Sequence, residues 1–428
     1  MKTKLLIFGI TGDLSTRKLL PALRSIITSK TVSELQVIGV SRQEVDVKRL
    51  LVSSLGDTKL SSCVSVFSMD LAKNDDYARL KDYIDLGDDE QLLIYLSVPP
   101  MASTQIVDFM GRAGINTPNV KLLFEKPFGV DLVSAQEVIL RTAQYYNEAQ
   151  IYRIDHYLAK EMAQNIIAFR GGNALFDHVW NGQSIEKIEV VALEEIGIEG
   201  RANFYEQTGA LRDFLQGHLM QLLALVLMDI PANLDWDTLP GQRLAALKSV
   251  LSGDPYLAVR AQYEGYQHEV NNLGSLTETF VSLRLASKDP RWKDVPLILT
   301  TGKALSKKTT EVRVYFRKFH DAQSNCLVFR IQPDEGIEID LFTKKPGYER
   351  KFERQKLNYR YEEDDVLPDA YEQVIVDAIA SKKSLFTSGD EVLESWRILQ
   401  PVLDSWEMAD RPLFIYPKGS STHTISSV

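Results

Sequence analysis

"KLLIFGITGDL" occupies residues 4–14. A run of large apolar residues stops at Gly9, resumes for one residue, and meets a second glycine at Gly12 with Asp13 behind it. A strand apolar on both faces has no solvated side, so it belongs inside a sheet covered twice. The pattern recurs at "LQVIGVS" (35–41), "VSVFSMD" (64–70), "QLLIYLSV" (91–98), "VKLLFEKPF" (120–128) and "AQIYRID" (149–155). Helical periodicity fills the gaps, as in 132–146, where apolar residues recur at helical spacing. Strands alternating with helices predict an α/β unit over residues 1–155. Its architecture is a Rossmann-like, doubly wound parallel sheet with its ligand beyond the carboxyl ends of the strands.

After residue 155 the rhythm changes. Longer strands are expected at 184–193, 277–285, 295–302, 310–318 and, in two pieces, across 326–345. Polar and apolar residues alternate in 311–317 and 336–342, which predicts antiparallel strands with one solvated face. Helical patterns cover 156–170, 207–229, 368–382 and 391–407. Residues 156–428 therefore read as one α+β domain, a large mostly antiparallel sheet with helices on one face. Only the Ser- and Thr-rich tail "PKGSSTHTISSV" (417–428) reads as loose.

Composition excludes several classes. The 428 residues are 44% hydrophobic and 25% charged, an ordinary globular balance with ample core. A net charge of −9 lacks the basic footprint of a nucleic-acid protein. The longest apolar stretch, Leu222 to Met228, falls far short of the ~20 residues that span a bilayer. The first residues carry too short an apolar run for a secretory signal, so a cytoplasmic location is expected. Cys63 and Cys326 form neither a disulfide framework nor a metal motif, and no histidine spacing suggests a metal.

The motifs carry chemistry. Glycines after a first strand let backbone approach a pyrophosphate held by a helix N-terminus, although Thr11 replaces the second glycine of GxGxxG. The second strand ends in Ser41-Arg42, where an NAD-selective domain would carry an acid. That pair suits a 2′-phosphate, so NADP is expected, with NAD as the alternative. Lys126, in "EKPFG" (125–129), stands at a strand's carboxyl end beside a proline able to take the cis form. His156 and Lys160 fall at i, i+4 on the expected 156–170 helix, which with Tyr157 forms an anion cradle rather than a base. His218 lies on the apolar stripe of 209–229, a position that suits a core histidine as well as a base. Asp213 precedes it by five residues, about 140° around an α-helix, and is expected to be a poor partner. Asp155 is the candidate carboxylate.

"GITGDL", "EKPFG", "RIDHYLAKEMAQN" (153–165), "EGRANFYEQTGALRDFLQGHLMQ" (199–221) and "TGKAL" (301–305) together resemble the ordered motifs of the glucose-6-phosphate dehydrogenases. The resemblance continues through "RIQPDEGI" (330–337), "TKKPG" (343–347) and "LPDAYE" (367–372), over essentially the whole chain. It implies oxidation of glucose 6-phosphate to 6-phosphogluconolactone, the first oxidative step of the pentose phosphate pathway, with hydride passing from C1 to a nicotinamide. By the same resemblance His218 is the general base and Asp155 the carboxylate that orients it. His156, Tyr157 and Lys160 are the phosphate site, with Lys308 adding charge nearby. Lys126 reaches substrate and nicotinamide, and Glu194, Asp213 and Lys303 contact sugar hydroxyls. Gly9, Thr11, Gly12, Asp13 and Leu14 form the fingerprint turn, with Ser41 and Arg42 at the adenosine end.

The assignment is chemically coherent. Imidazole supplies a base with a pKa near working pH, and a carboxylate beside it keeps one tautomer. No metal is required. Ala159, Gly217 and Ala202-Asn203 depart from the usual family residues, and 230–275 and the tail are trimmed. The resemblance implies a homodimer, or a dimer of dimers, built on the large sheet. Two competing readings are weighed beside it: another sugar or inositol dehydrogenase, which needs no phosphate cradle, and a nucleotide sensor, which needs no His218.

Overall fold

The computed structural model describes residues 2–32, 34–231, 233–318, 323–362, 364–365, 367–408 and 412–426. They form two compact units, Met1–Ala159 with Pro368–Val392, and Lys160–Leu367 with Leu393–Val428. The expected division at 155/156 is thereby amended. The chain returns to the first unit after a long excursion, and "LPDAYE" marks the return.

In the first unit β1 (Lys2–Phe8), β2 (Leu35–Ser41), β3 (Val64–Ser68), β4 (Glu90–Leu96), β5 (Val120–Phe124) and β6 (Ile151–Ile154) are parallel, in the order β6-β5-β4-β1-β2-β3. This is the doubly wound order, and its crevice opens between β1 and β4, where the winding reverses. Leu5, Leu6, Ile7 and Phe8 are all fully buried, as their two-sided apolarity requires. The returning segment supplies helix Ala370–Ile379 and a two-residue strand, Phe386–Thr387, that pairs antiparallel with β6 at the sheet edge. Val374, Ile375, Leu385 and Phe386 share one apolar core with Leu5, Leu93 and Tyr152. At the opposite end of the strands from the crevice, the Lys121 ammonium donates to Ala378 O (2.6 Å), Ser381 Oγ (2.8 Å) and Gln91 Oε1 (2.8 Å). It caps the C-terminus of the returning helix.

The second unit is built on a nine-stranded sheet. Its strands are β7 (Ile185–Leu193), β8 (Ala258–Tyr263), β9 (Phe280–Leu285), β10 (Leu297–Gly302), β11 (Thr309–Phe316), β12 (Cys326–Gln332), β13 (Gly336–Lys344) and β14 (Phe352–Arg360). With the two-residue strand of the first unit counted as β15, the ninth is β16 (Phe414–Tyr416). The order is β14-β13-β12-β11-β7-β10-β9-β8-β16, antiparallel except for the pairs β7/β10 and β8/β16. Helix Glu161–Gly172 packs on β12, and a π-helical segment, Leu211–Leu219, packs on β7 and β10.

Three expectations change. Residues 156–159 are turn, and the helix begins only at Glu161 with Lys160 as its N-cap in extended conformation. The cause is local: Asp155 Oδ1 accepts from Tyr157 N (2.9 Å) and Asp155 O from Leu158 N (3.0 Å), which diverts the backbone into a turn. Residues 207–229 divide into helix Ala202–Ala210, the π-helix, and helix Met220–Leu227. Residues 417–426 are ordered rather than loose: Ser420 bridges to Leu305, and Thr422–Ser426 is a short helix. Residues 427–428 of the expected tail lie outside the described residues.

Candidate active site

The first unit presents the fingerprint turn. Gly9 holds φ +82°, and a Cβ there would stand 2.3 Å from Ser97 O, so only glycine lets β1 leave the sheet at this point. Gly12 N donates to Gly9 O (2.9 Å), and Ser15 Oγ donates to the same carbonyl (2.9 Å), closing the turn into a compact loop. The bare backbone at the end of β1 fits a dinucleotide pyrophosphate, with Thr11, Asp13 and Leu14 alongside. Ser41 ends β2, and Arg42 is exposed just beyond it.

Lys126 follows β5, and its bond to Pro127 is cis. Glu125 beside it is hydrogen-bonded by the Tyr95 hydroxyl from the end of β4. Burial pushes the Glu125 carboxyl up to about 7, against the pull of Tyr95 and Lys126, and Asp155 adds to the rise. The returning helix adds Tyr371, whose phenol faces Glu125, Asp369 and Asp155 and stacks on His156 with ring centroids 6.2 Å apart. Asp155 and Tyr157 are buried, while His156 and Lys160 are half-buried. The turn at 156–159 removes the shared helical face proposed for His156 and Lys160.

The second unit brings together three predicted residues. Glu194 follows β7 and Lys303 follows β10; these strands are parallel neighbours, so both residues emerge at one end of the sheet. Their side chains form an ion pair with Lys303 buried, and the ammonium lies 5.3 Å from the centroid of the Tyr205 ring. Burial drives the Tyr205 phenol far up, and Asp213, Glu278 and Glu194 all act on it. Tyr205 is thus the hub around which Lys303, Glu194 and Asp213 gather. Lys308 is exposed between β10 and β11. Lys160 faces Glu335, whose carboxyl is raised by burial and drawn back by that lysine.

His218 is buried at 4% exposure, its ring edge-to-face with Phe214 at 5.0 Å. The 140° separation expected between Asp213 and His218 holds for an α-helix only. In a π-helix the hydrogen bonds run i→i+5, the turn is longer, and residues five apart come close to one face. That register narrows the angle between Asp213 and His218 well below 140°.

A family model described as "Glucose-6-phosphate dehydrogenase, NAD binding domain" matches residues 6–165. Its companion, "Glucose-6-phosphate dehydrogenase, C-terminal domain", matches residues 167–426. The chain belongs to the glucose-6-phosphate dehydrogenase family. Among similar members of that family, the glucose-6-phosphate 1-dehydrogenase of Dickeya dadantii is 35% identical across 94% of this chain and 91% of its own. That of Chlamydia muridarum is also 35% identical, across 96% and 91%. A solved glucose-6-phosphate dehydrogenase in complex with its substrate glucose 6-phosphate superposes with a TM-score of 0.92 at 30% identity, covering 100% of this chain and 97% of that one. The Mycobacterium avium enzyme gives 0.87 at 32% identity, covering 98% of this chain and 94% of that one.

Sequence reasoning passed over Tyr205, Tyr95, Glu125 and Glu278. Tyr95, Glu125 and Tyr205 stand in the stretches quoted above, and Glu278 falls in the strand expected at 277–285. The signal for Tyr205 was its place eight residues before Asp213 in a long matched motif. Nothing in the sequence distinguished Glu278 from a charge at a strand end.

Proposed function

We propose that this glucose-6-phosphate dehydrogenase family member oxidises D-glucose 6-phosphate to 6-phospho-D-glucono-1,5-lactone with NADP. The observation that carries the reading is the ordered match of both halves of one enzyme family, over 6–165 and 167–426. The oxidised nicotinamide, when bound, accepts the hydride from C1. The chain's own residues do the rest. An imidazole nitrogen of His218 takes the C1 hydroxyl proton, so that the C1–O bond becomes a carbonyl as the C1–H bond breaks. Asp155 is the carboxylate that keeps one imidazole tautomer. Glu194, Asp213 and Lys303 hold sugar hydroxyls, and Lys126 bridges substrate and cofactor. His156, Tyr157 and Lys160, with Lys308 nearby, take the phosphate. That remote contact positions C1 for transfer.

Gly9, Thr11, Gly12, Asp13 and Leu14 hold the pyrophosphate end, with Ser41 and Arg42 at the 2′-phosphate. Arg42 can stack on adenine in either cofactor, so NAD is the second candidate. The enzyme works in the cytoplasm as a homodimer, with a dimer of dimers as the larger alternative. An exposed apolar face on the sheet supports assembly: Leu341, Leu357 and Tyr359 lie on one side of β13 and β14 and are 40%, 56% and 49% exposed.

The test is nicotinamide reduction with glucose 6-phosphate, glucose and galactose 6-phosphate, each with NADP and NAD. Turnover is expected with glucose 6-phosphate and NADP. Equal turnover of unphosphorylated glucose would exclude the phosphate cradle.

A further inference from the structure

The helix that ends before Leu211 is broken at Gly209, which takes φ +62° and ψ −178°. The next two amides do not return to the preceding turn. Ala210 N donates to Glu278 O (3.0 Å), and Leu211 N donates to Glu278 Oε1 (2.9 Å). Glu278 is 4% exposed and lies flat on the bare backbone of Gly209, where a Cβ would meet its Oε1 at 2.4 Å. The neighbouring Thr279 is fixed in turn: its carbonyl accepts from Lys303 N (2.9 Å), and its hydroxyl accepts from Tyr263 N (2.9 Å).

One dipeptide therefore touches both halves of the second unit's site. Glu278 grips the head of the π-helix that carries Asp213 and His218, and Thr279 grips the backbone of Lys303. A π-helix is the rarer and looser state; without a hold on its first amide, its extra residue can slip out toward Gly209 and leave α-helix behind. Asp213 and His218 would then stand about 140° apart. Burial raises the Glu278 carboxyl, while the Leu211 amide, Arg212 and Arg260 draw it back.

We propose that Glu278 is a positioning residue, whose reach to the Leu211 amide holds the π register and so keeps Asp213 and His218 on one face toward the substrate. This inference rests on the base assignment given above. It makes length, not charge, the decisive property of the side chain. Gln keeps an oxygen at the same reach, whereas Asp keeps the charge one methylene short.

The experiment compares E278Q, E278D and G209A with the parent enzyme in kcat, KM for glucose 6-phosphate, and NADP affinity by nucleotide fluorescence. E278D and G209A are expected to lose about 100-fold in kcat, the scale of a misplacement near 1 Å. NADP affinity should stay within about three-fold, because the first unit supplies that site. E278Q should keep kcat within about five-fold, since the amide–carbonyl hydrogen bond survives. E278D at parental kcat, or E278Q falling as far as E278D, would overturn the proposal. G209A probes the same contact from its other side should E278D fail to fold, and parental kcat in G209A would also count against it. H218N is run beside them. Turnover persisting in H218N counts against the base assignment, whereas turnover persisting in E278D with H218N inactive counts against Glu278 alone.

Discussion

At the scale of single residues, the proposed base and the proposed phosphate cradle call for opposite phenotypes. His218→Asn removes the proton acceptor and is expected to abolish turnover while leaving the dissociation constant for glucose 6-phosphate nearly unchanged by calorimetry. Lys160→Ala should act oppositely. Losing one partner of a desolvated charge pair costs about 2–5 kcal/mol, read as weaker substrate binding. Glu125 gives a pH signature of its own. Its carboxyl rises from 4.5 to about 7 in the folded chain, so the fold binds a proton that the unfolded chain releases. Stability contributed at this site is thus present below pH 4.5 and is lost as pH climbs through 7. Relative to Glu125→Gln, the parent should lose up to about 3 kcal/mol over that window in denaturant titrations. A difference that stays flat with pH would refute the raised carboxyl.

At the scale of elements, legibility followed periodicity. β1 to β6 could be read because fully buried strands leave continuous apolar runs, and each observed strand overlaps its expected range. β14 could not: all nine residues of "FERQKLNYR" are exposed, so no alternation marks it. β15, with two residues, is too short to carry any pattern. The π-helix was illegible for a different reason. Its apolar residues recur much as an α-helix's would, and the added residue per turn depends on Glu278, some sixty residues away in sequence. The residues proposed for the site were named from their motifs, yet nothing in the sequence disclosed their local arrangement. His156 and Lys160 lost their common helix, and the π register narrowed the angle between Asp213 and His218. The Lys121 cap is an element-level device that can be tested. Lys121→Met removes the donor shared by Ala378 O, Ser381 Oγ and Gln91 Oε1, and leaves Gln91 Oε1 buried without it. The expected cost is about 1–3 kcal/mol in chemical denaturation, chiefly from that one buried acceptor.

At the scale of the whole molecule, the exposed face of β13 and β14 argues for a second copy. Leu357→Arg places a charge in the middle of that face. The prediction is a shift from dimer to monomer in light scattering behind a sizing column, with NADP affinity unaffected. The two-unit organisation itself was only partly legible: the onset of the second unit showed as a change of strand rhythm. The return at Pro368 left no change of periodicity, because the helix Ala370–Ile379 looks like any other amphipathic helix.

That return sets a timetable for manufacture. A ribosome adding about 5–20 residues each second releases β1 to β6 early, and segments that can fold alone do so as they emerge. The nucleotide half cannot finish then. Its sheet edge, part of its core and the acceptors at Ala378 and Ser381 for Lys121 are still to be translated. Until residue 392 has left the exit tunnel, the first unit waits with Lys121 lacking those acceptors, while over two hundred intervening residues are made. Transcripts truncated anywhere in that interval would yield an open sheet, a natural client for chaperones, whichever half of the catalyst they already encode.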